Sequence, residues 1–177
     1  MTEIDEKKKT GIRTLTRIAF LTALSLIAYI IESLFPPLVL PGAKMGLGNI
    51  FSMLALTVMG VWQGYAVVLA RTLLGAALTG SLSTLLYSLS AGLVSYSLSA
   101  LLFRCFGKSV SITAISIAAG VCHNLVQNAV FVFVSGTRQM LGYAPYLALL
   151  GIPAGLTVGV AVTLLMPKVK SFFSGGS

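Results

Sequence analysis

Acidic side chains are scarce: twelve Lys and Arg face four Asp and Glu, and three of those acids (Glu3, Asp5, Glu6) sit at the N-terminus. Histidine occurs once and cysteine twice, with no further ligand set around them, so no metal site is expected. His123 reads as a neutral packing histidine, and Cys105 and Cys122 as free thiols inside helices. The chain also lacks a Walker-type phosphate loop and any nucleophile–base pair, which excludes ATP hydrolysis and common catalytic chemistry as its own work. Charged residues make up only 9% against 56% hydrophobic, too little polar surface to coat a soluble globule.

What is present is apolar length. A helix crossing the hydrocarbon core needs about 20 mostly apolar residues, and such stretches fill nearly everything from Ile18 to Met166. Breaks at Pro, Gly and charge predict an all-α bundle of about six transmembrane helices, at about 15–35, 47–62, 64–80, 82–104, 109–135 and 145–166. The weakest boundary is Trp62-Gln63-Gly64. This divides the chain into an N-terminal tail (1–14), a membrane domain (15–167) and a C-terminal tail (168–177). No cleavable leader is expected, because no small-residue cleavage site follows a short apolar core.

The formal charge of +8 is not gathered into a stripe with interleaved aromatics, so nucleic acid is not an expected partner. With the N-terminus in the cytoplasm, the inner segments hold nine basic residues and the outer ones two, Lys44 and Arg138. A multi-pass protein of the cell membrane with a cytoplasmic N-terminus is the expectation. Arg71 falls within the third span and does not enter this count.

Helices in lipid associate through small residues rather than hydrophobic expulsion. Gly151, Gly155 and Gly159 share one face of the sixth helix. Ser81, Thr84, Ser88, Gly92, Ser95 and Ser99 run along the fourth, either as a packing seam or, at the outer end, as a site lining. Ala19 and Ala23 form a small-xxx-small pair on the first helix, suited to packing within the chain or to receiving a helix of a partner subunit.

Polar side chains at membrane depth are costly and point into the bundle or a watery cavity. Glu32, Asn49, Arg71, Tyr87, His123, Asn124, Gln127 and Asn128 are the candidates for substrate binding, with Tyr146 nearby. They converge on the outer half. Asn124, Gln127 and Asn128 share a face by i, i+3 and i+4 spacing, and Gly120 one turn below permits close approach. They read as a ligand pocket or as an interhelical hydrogen-bond network. Arg71 keeps its proton and must face Glu32, backbone carbonyls or an anionic ligand. If Lys44 of the proline-rich first loop (36–46) folds over the site, two cations against one carboxylate favour a ligand bearing phosphate or carboxylate.

Pro41-Gly42-Ala43-Lys44-Met45-Gly46-Leu47-Gly48-Asn49-Ile50 resembles the start of the second helix in the Gx transporter family, often labelled component I of heptaprenyl diphosphate synthase. His123-Asn124-x-x-Gln127 is similar to that family's fifth-helix motif, and Gly80-Ser81-Leu82-Ser83 with Ser90-Ala91-Gly92 to its third-to-fourth-helix region. The family in turn resembles the S components of energy-coupling factor transporters. That resemblance implies a six-helix subunit that binds a small micronutrient or cofactor precursor from outside. It also implies an Ala-x-x-x-Ala face, matched by Ala19 and Ala23, docking on a transmembrane coupling subunit driven by two ATPases. ATP would be used by those partners and no cofactor by this chain.

The synthase label meets a physical difficulty, since prenyl diphosphate chemistry needs clustered carboxylates to hold magnesium. The competing expectation is a non-catalytic membrane partner in isoprenoid or quinone metabolism, or in flavin- and quinone-linked extracytosolic electron transfer. An autonomous channel is disfavoured by the lack of charge rings and internal repeats.

Overall fold

The computed structural model describes residues 3–34, 45–80, 82–107 and 109–175. Six helices follow in order: α1 Glu3–Leu34, α2 Asn49–Val58, α3 Val61–Thr79, α4 Leu82–Phe106, α5 Ile112–Ser135 and α6 Ala144–Ser174. A 3-10 helix, Arg138–Tyr143, joins α5 to α6, and no strand occurs among the described residues. The N-terminal helix includes most of the polar stretch read as a tail, and α6 runs on past Pro167 to Ser174.

Among the described residues, five helices are long and apolar enough to cross a membrane, whereas α2 is a shorter apolar helix. Its 10 residues reach about 15 Å, half the thickness of a hydrocarbon core of about 30 Å. The second span expected at 47–62 is therefore a half-length helix. It ends because Gly60 adopts φ 127°, ψ 179°, a conformation favouring glycine, and the N–H groups of Met59 and Gly60 both return to the carbonyl of Ala55. The break thus falls at Met59-Gly60 and not at Trp62-Gln63-Gly64, which belongs to α3. Gly64 has a packing role: a Cβ there would strike the ring of Tyr96, whose hydroxyl donates to the Val61 carbonyl at 2.8 Å.

Buried in the middle of the bundle, α2 touches α1, α3, α4 and α6. Met53, Leu54 and Leu56 join Val68, Tyr96, Ile115, Val158 and Val162 in the main core. Leu21, Ala55, Val67 and Phe173 form a second cluster toward the end that carries both termini. Outside, Leu15, Trp62, Leu78, Phe133, Leu149 and Leu164 are exposed, while Ser25, Arg71, Ser95 and Asn124 are buried. That inversion of a soluble protein's pattern suits a bundle surrounded by acyl chains.

The tightest contact is between α5 and α6, where glycines let the backbones touch. A Cβ on Gly120 would lie 2.6 Å from the Gly151 carbonyl oxygen, and one on Gly151 would lie 2.5 Å from Cα of Val121. Gly155 and Gly159 meet the backbone of Ile117 and Thr113 in the same way. The close approach expected at Gly120 is made by α6 itself.

Candidate functional site

Residues 45–48 fold between the far end of α1 and the middle of α3, and their geometry explains the glycines in this segment. Gly46 has φ 71°, in the left-handed region, and a Cβ on it would stand 2.8 Å from the Asn49 amide nitrogen. A Cβ on Gly48 would collide with the Arg71 guanidinium. The carboxylate of Glu32 accepts hydrogen bonds from the N–H groups of Gly46 at 2.7 Å and Leu47 at 3.1 Å, and Ser25 Oγ donates to the Gly48 carbonyl at 2.7 Å. These side-chain hydrogen bonds to the short segment thus come from α1 alone, while Arg71 of α3 packs against Gly48.

Arg71 is 6% exposed and donates through Nη2 to Asn49 Oδ1 at 3.0 Å, while its Nε has no hydrogen-bond partner. The Glu32 oxygens accept from backbone N–H groups, and among the described residues no hydrogen bond joins Glu32 to Arg71, although the two lie near enough to interact electrostatically. A buried cation with an unused N–H is an unusual expense in a helix bundle, and it borders a cavity.

That cavity, of about 20 Å³, is lined by Tyr29, Glu32, Asn49, Arg71, Ser88 and His123 among others. A second, of about 40 Å³, lies deeper between α2, α4, α5 and α6, and its polar lining includes Ser52, Ser95, Ser99, Ser116, His123 and Asn124. Gly46, Asn49 and His123 border both. His123 Nδ1 lies 3.3 Å from Ser95 Oγ, and Ser116 Oγ, wholly buried, has no partner. Each volume has room for one to a few water-sized groups. The guanidinium of Arg71 thus borders one cavity and the hydroxyls of Ser52, Ser95, Ser99 and Ser116 the other.

Of the residues singled out from sequence, the fold gathers Glu32, Asn49, Arg71 and His123 around the first cavity and Asn124 beside the second. The α5 amides divide their roles. Asn124 Nδ2 donates to the Leu147 carbonyl and Asn128 Nδ2 to the Met140 carbonyl, each at 3.1 Å, fastening the 3-10 helix and α6 to α5. Gln127 is buried with its Oε1 unpartnered and borders neither cavity. Tyr87 packs on Phe131 at 5.8 Å, also away from both, and Tyr146 is 60% exposed. Lys44 lies outside the described residues.

Ser25, Tyr29, Ser52 and Ser116 were not foreseen. Ser88, Ser95 and Ser99 belong to the stripe read on α4, and the stripe lines cavities along its deeper half as well as toward the loop end. Ala19 and Ala23 are exposed. No group of three or more His, Cys, Asp or Glu stands close enough to hold a metal ion among the described residues.

No curated protein and no solved structure matches the chain. The family model described as heptaprenyl diphosphate synthase component I matches residues 21–165, a stretch holding α2 to α5 whole, the C-terminal part of α1 and most of α6. A multi-pass helical protein with these motifs and this match belongs to the heptaprenyl diphosphate synthase component I family.

Proposed function

We propose that the chain is the substrate-binding membrane subunit of an energy-coupling factor type importer, with both termini in the cytoplasm. Its cargo is a small anionic micronutrient or cofactor precursor taken from the opposite side. The observation that carries this reading is Arg71: a buried guanidinium with an unpartnered Nε, beside cavities covered by residues 45–48. A carboxylate or phosphate would meet that N–H with a charge-assisted hydrogen bond. The exposed Ala19–Ala23 face supports docking on a coupling subunit, since small exposed residues let a partner helix approach closely. ATP would be hydrolysed by the associated ATPases, and this chain would act without catalysis of its own.

Co-expression with a coupling subunit and two ATPases tests it. The four proteins should copurify, and Ala19→Leu with Ala23→Leu should abolish the association while leaving the bundle folded. Purification free of any ATPase under mild conditions overturns the reading.

A second reading is a non-catalytic membrane partner in isoprenoid or quinone metabolism or in flavin- and quinone-linked electron transfer outside the cytosol; the family description, heptaprenyl diphosphate synthase component I, supports its isoprenoid part. A lipid-soluble molecule retained by the purified protein in a lateral groove would support it over import.

A further inference from the structure

At the end that carries both termini, two open hollows meet along the contact of α1 with the last turns of α6. One, of about 580 Å³, is lined by Ile12, Arg13, Thr16, Phe20, Ser171 and Phe172 among others. Its neighbour, of about 690 Å³, includes Thr14, Gln63, Lys170 and Ser174, and Arg17 and Phe173 border both. Among the described residues, no acidic side chain lines either hollow.

The structure assigns this groove to an anionic phospholipid, its phosphate held by Arg13, Arg17 and Lys170 and an acyl chain laid over Phe20 and Phe172. The lining has the polarity of such a molecule. Cations and hydroxyls stand together, and apolar side chains continue from them: Ile12, Phe20 and Phe172 are 59%, 43% and 67% exposed, and the Phe20 and Phe172 rings are 5.6 Å apart. The helix α1 enters its apolar span at Thr10, so Arg13 and Arg17 fall within the first two turns, at headgroup depth.

Arg17 is set in place for this task. Its guanidinium donates to the Phe173 carbonyl and lies over the Phe173 ring, 5.0 Å from the centroid. The carbonyls ending α6 would otherwise repel an anion, and Arg17 offsets one of them. A soluble acidic partner would answer the charges but not the adjoining aromatic strip.

Binding is measured by native mass spectrometry and thermal unfolding of the detergent-solubilised chain, with phosphatidylglycerol, phosphatidylcholine of the same acyl chains, and inorganic phosphate as probes. Phosphatidylglycerol should be retained and raise the unfolding temperature, and the other two should do neither. Arg13→Gln with Lys170→Gln, both at exposed positions, should weaken retention by about fivefold per charge removed. Arg13→Lys with Lys170→Arg should restore it. Equal retention of the two lipids, equal stabilisation by inorganic phosphate, or undiminished retention by the double Gln variant overturns the assignment. None of these outcomes depends on whether the chain serves an importer.

Discussion

Nη2 of Arg71 reaches Asn49 Oδ1 at 3.0 Å, tying the first residue of α2 to the middle of α3. Because the two helices turn back on each other at Met59-Gly60, this contact closes the open end of an antiparallel pair whose other end the chain itself closes. It also spends one face of the guanidinium on structure and leaves Nε for something else.

Replacing Arg71 by Met separates these duties. Retention of an anionic small molecule, followed by native mass spectrometry, should fall by about 1.5–3 kcal/mol, the usual worth of a hydrogen bond to a charged group. Asn49→Ala should cost less, because it leaves the cation in place. Equal retention by wild type and Arg71→Met assigns Arg71 to structure alone.

Glu32 anchors residues 46 and 47 through two N–H groups, and Gln can offer only one acceptor oxygen to them. In a background of Cys105→Ser and Cys122→Ser, a cysteine placed by Met45→Cys should react with a polar maleimide faster once Glu32→Gln is added. The expected acceleration is about tenfold, for a loss of about 1.5 kcal/mol of charge-assisted bonding. An unchanged rate would show that Ser25 and the packing of Gly48 hold the segment unaided.

The backbone contact of α5 with α6 admits no side chain at Gly155, where a Cβ would lie 2.5 Å from Cα of Ile117. Gly155→Val should destabilise the bundle by about 1–3 kcal/mol or more, the range for overpacking. Gly142→Ala, with open space around it, should stay within about 0.5 kcal/mol of wild type. Unfolding in detergent, monitored for both, checks the contrast.

Fusion reporters at the two ends should read the same compartment, because Arg17 near the start of the chain touches Phe173 near its end. The proposed orientation, read from the basic residues of both terminal segments, predicts that this compartment is the cytoplasm. Reporters reading opposite sides would overturn the six-helix alternation.

The helices and the family were legible in the sequence, and so were several residues around the first cavity. Apolar length exposes a span, and an Arg or Glu at membrane depth has few reasons to be there. The half-length of α2 was hidden because the apolar run continues across Gly60, and hydropathy does not register a backbone with positive φ. Gly64 drew attention as the breaker although its lack of a side chain serves Tyr96. The duties of Asn124 and Asn128 depend on carbonyls of Leu147 and Met140, which no local spacing reveals. Ser116 and Ser25 gave no signal, since isolated serines are common wherever helices pack. For Ala19 and Ala23 the pattern was visible and its direction was not, because periodicity does not say which face of α1 the other helices take.

The turn at Met59-Gly60 has a consequence for how the chain enters the membrane. At 10 residues, α2 is too short to be admitted as a span of its own, and an arginine near the centre of α3 costs about 2.5–3.5 kcal/mol on insertion scales. Delivered as a pre-formed pair, the two helices present Asn49 to Arg71 before lipid surrounds either. If the pair enters as one hairpin, a fault in that turn would be felt first as failed insertion, before any loss of binding.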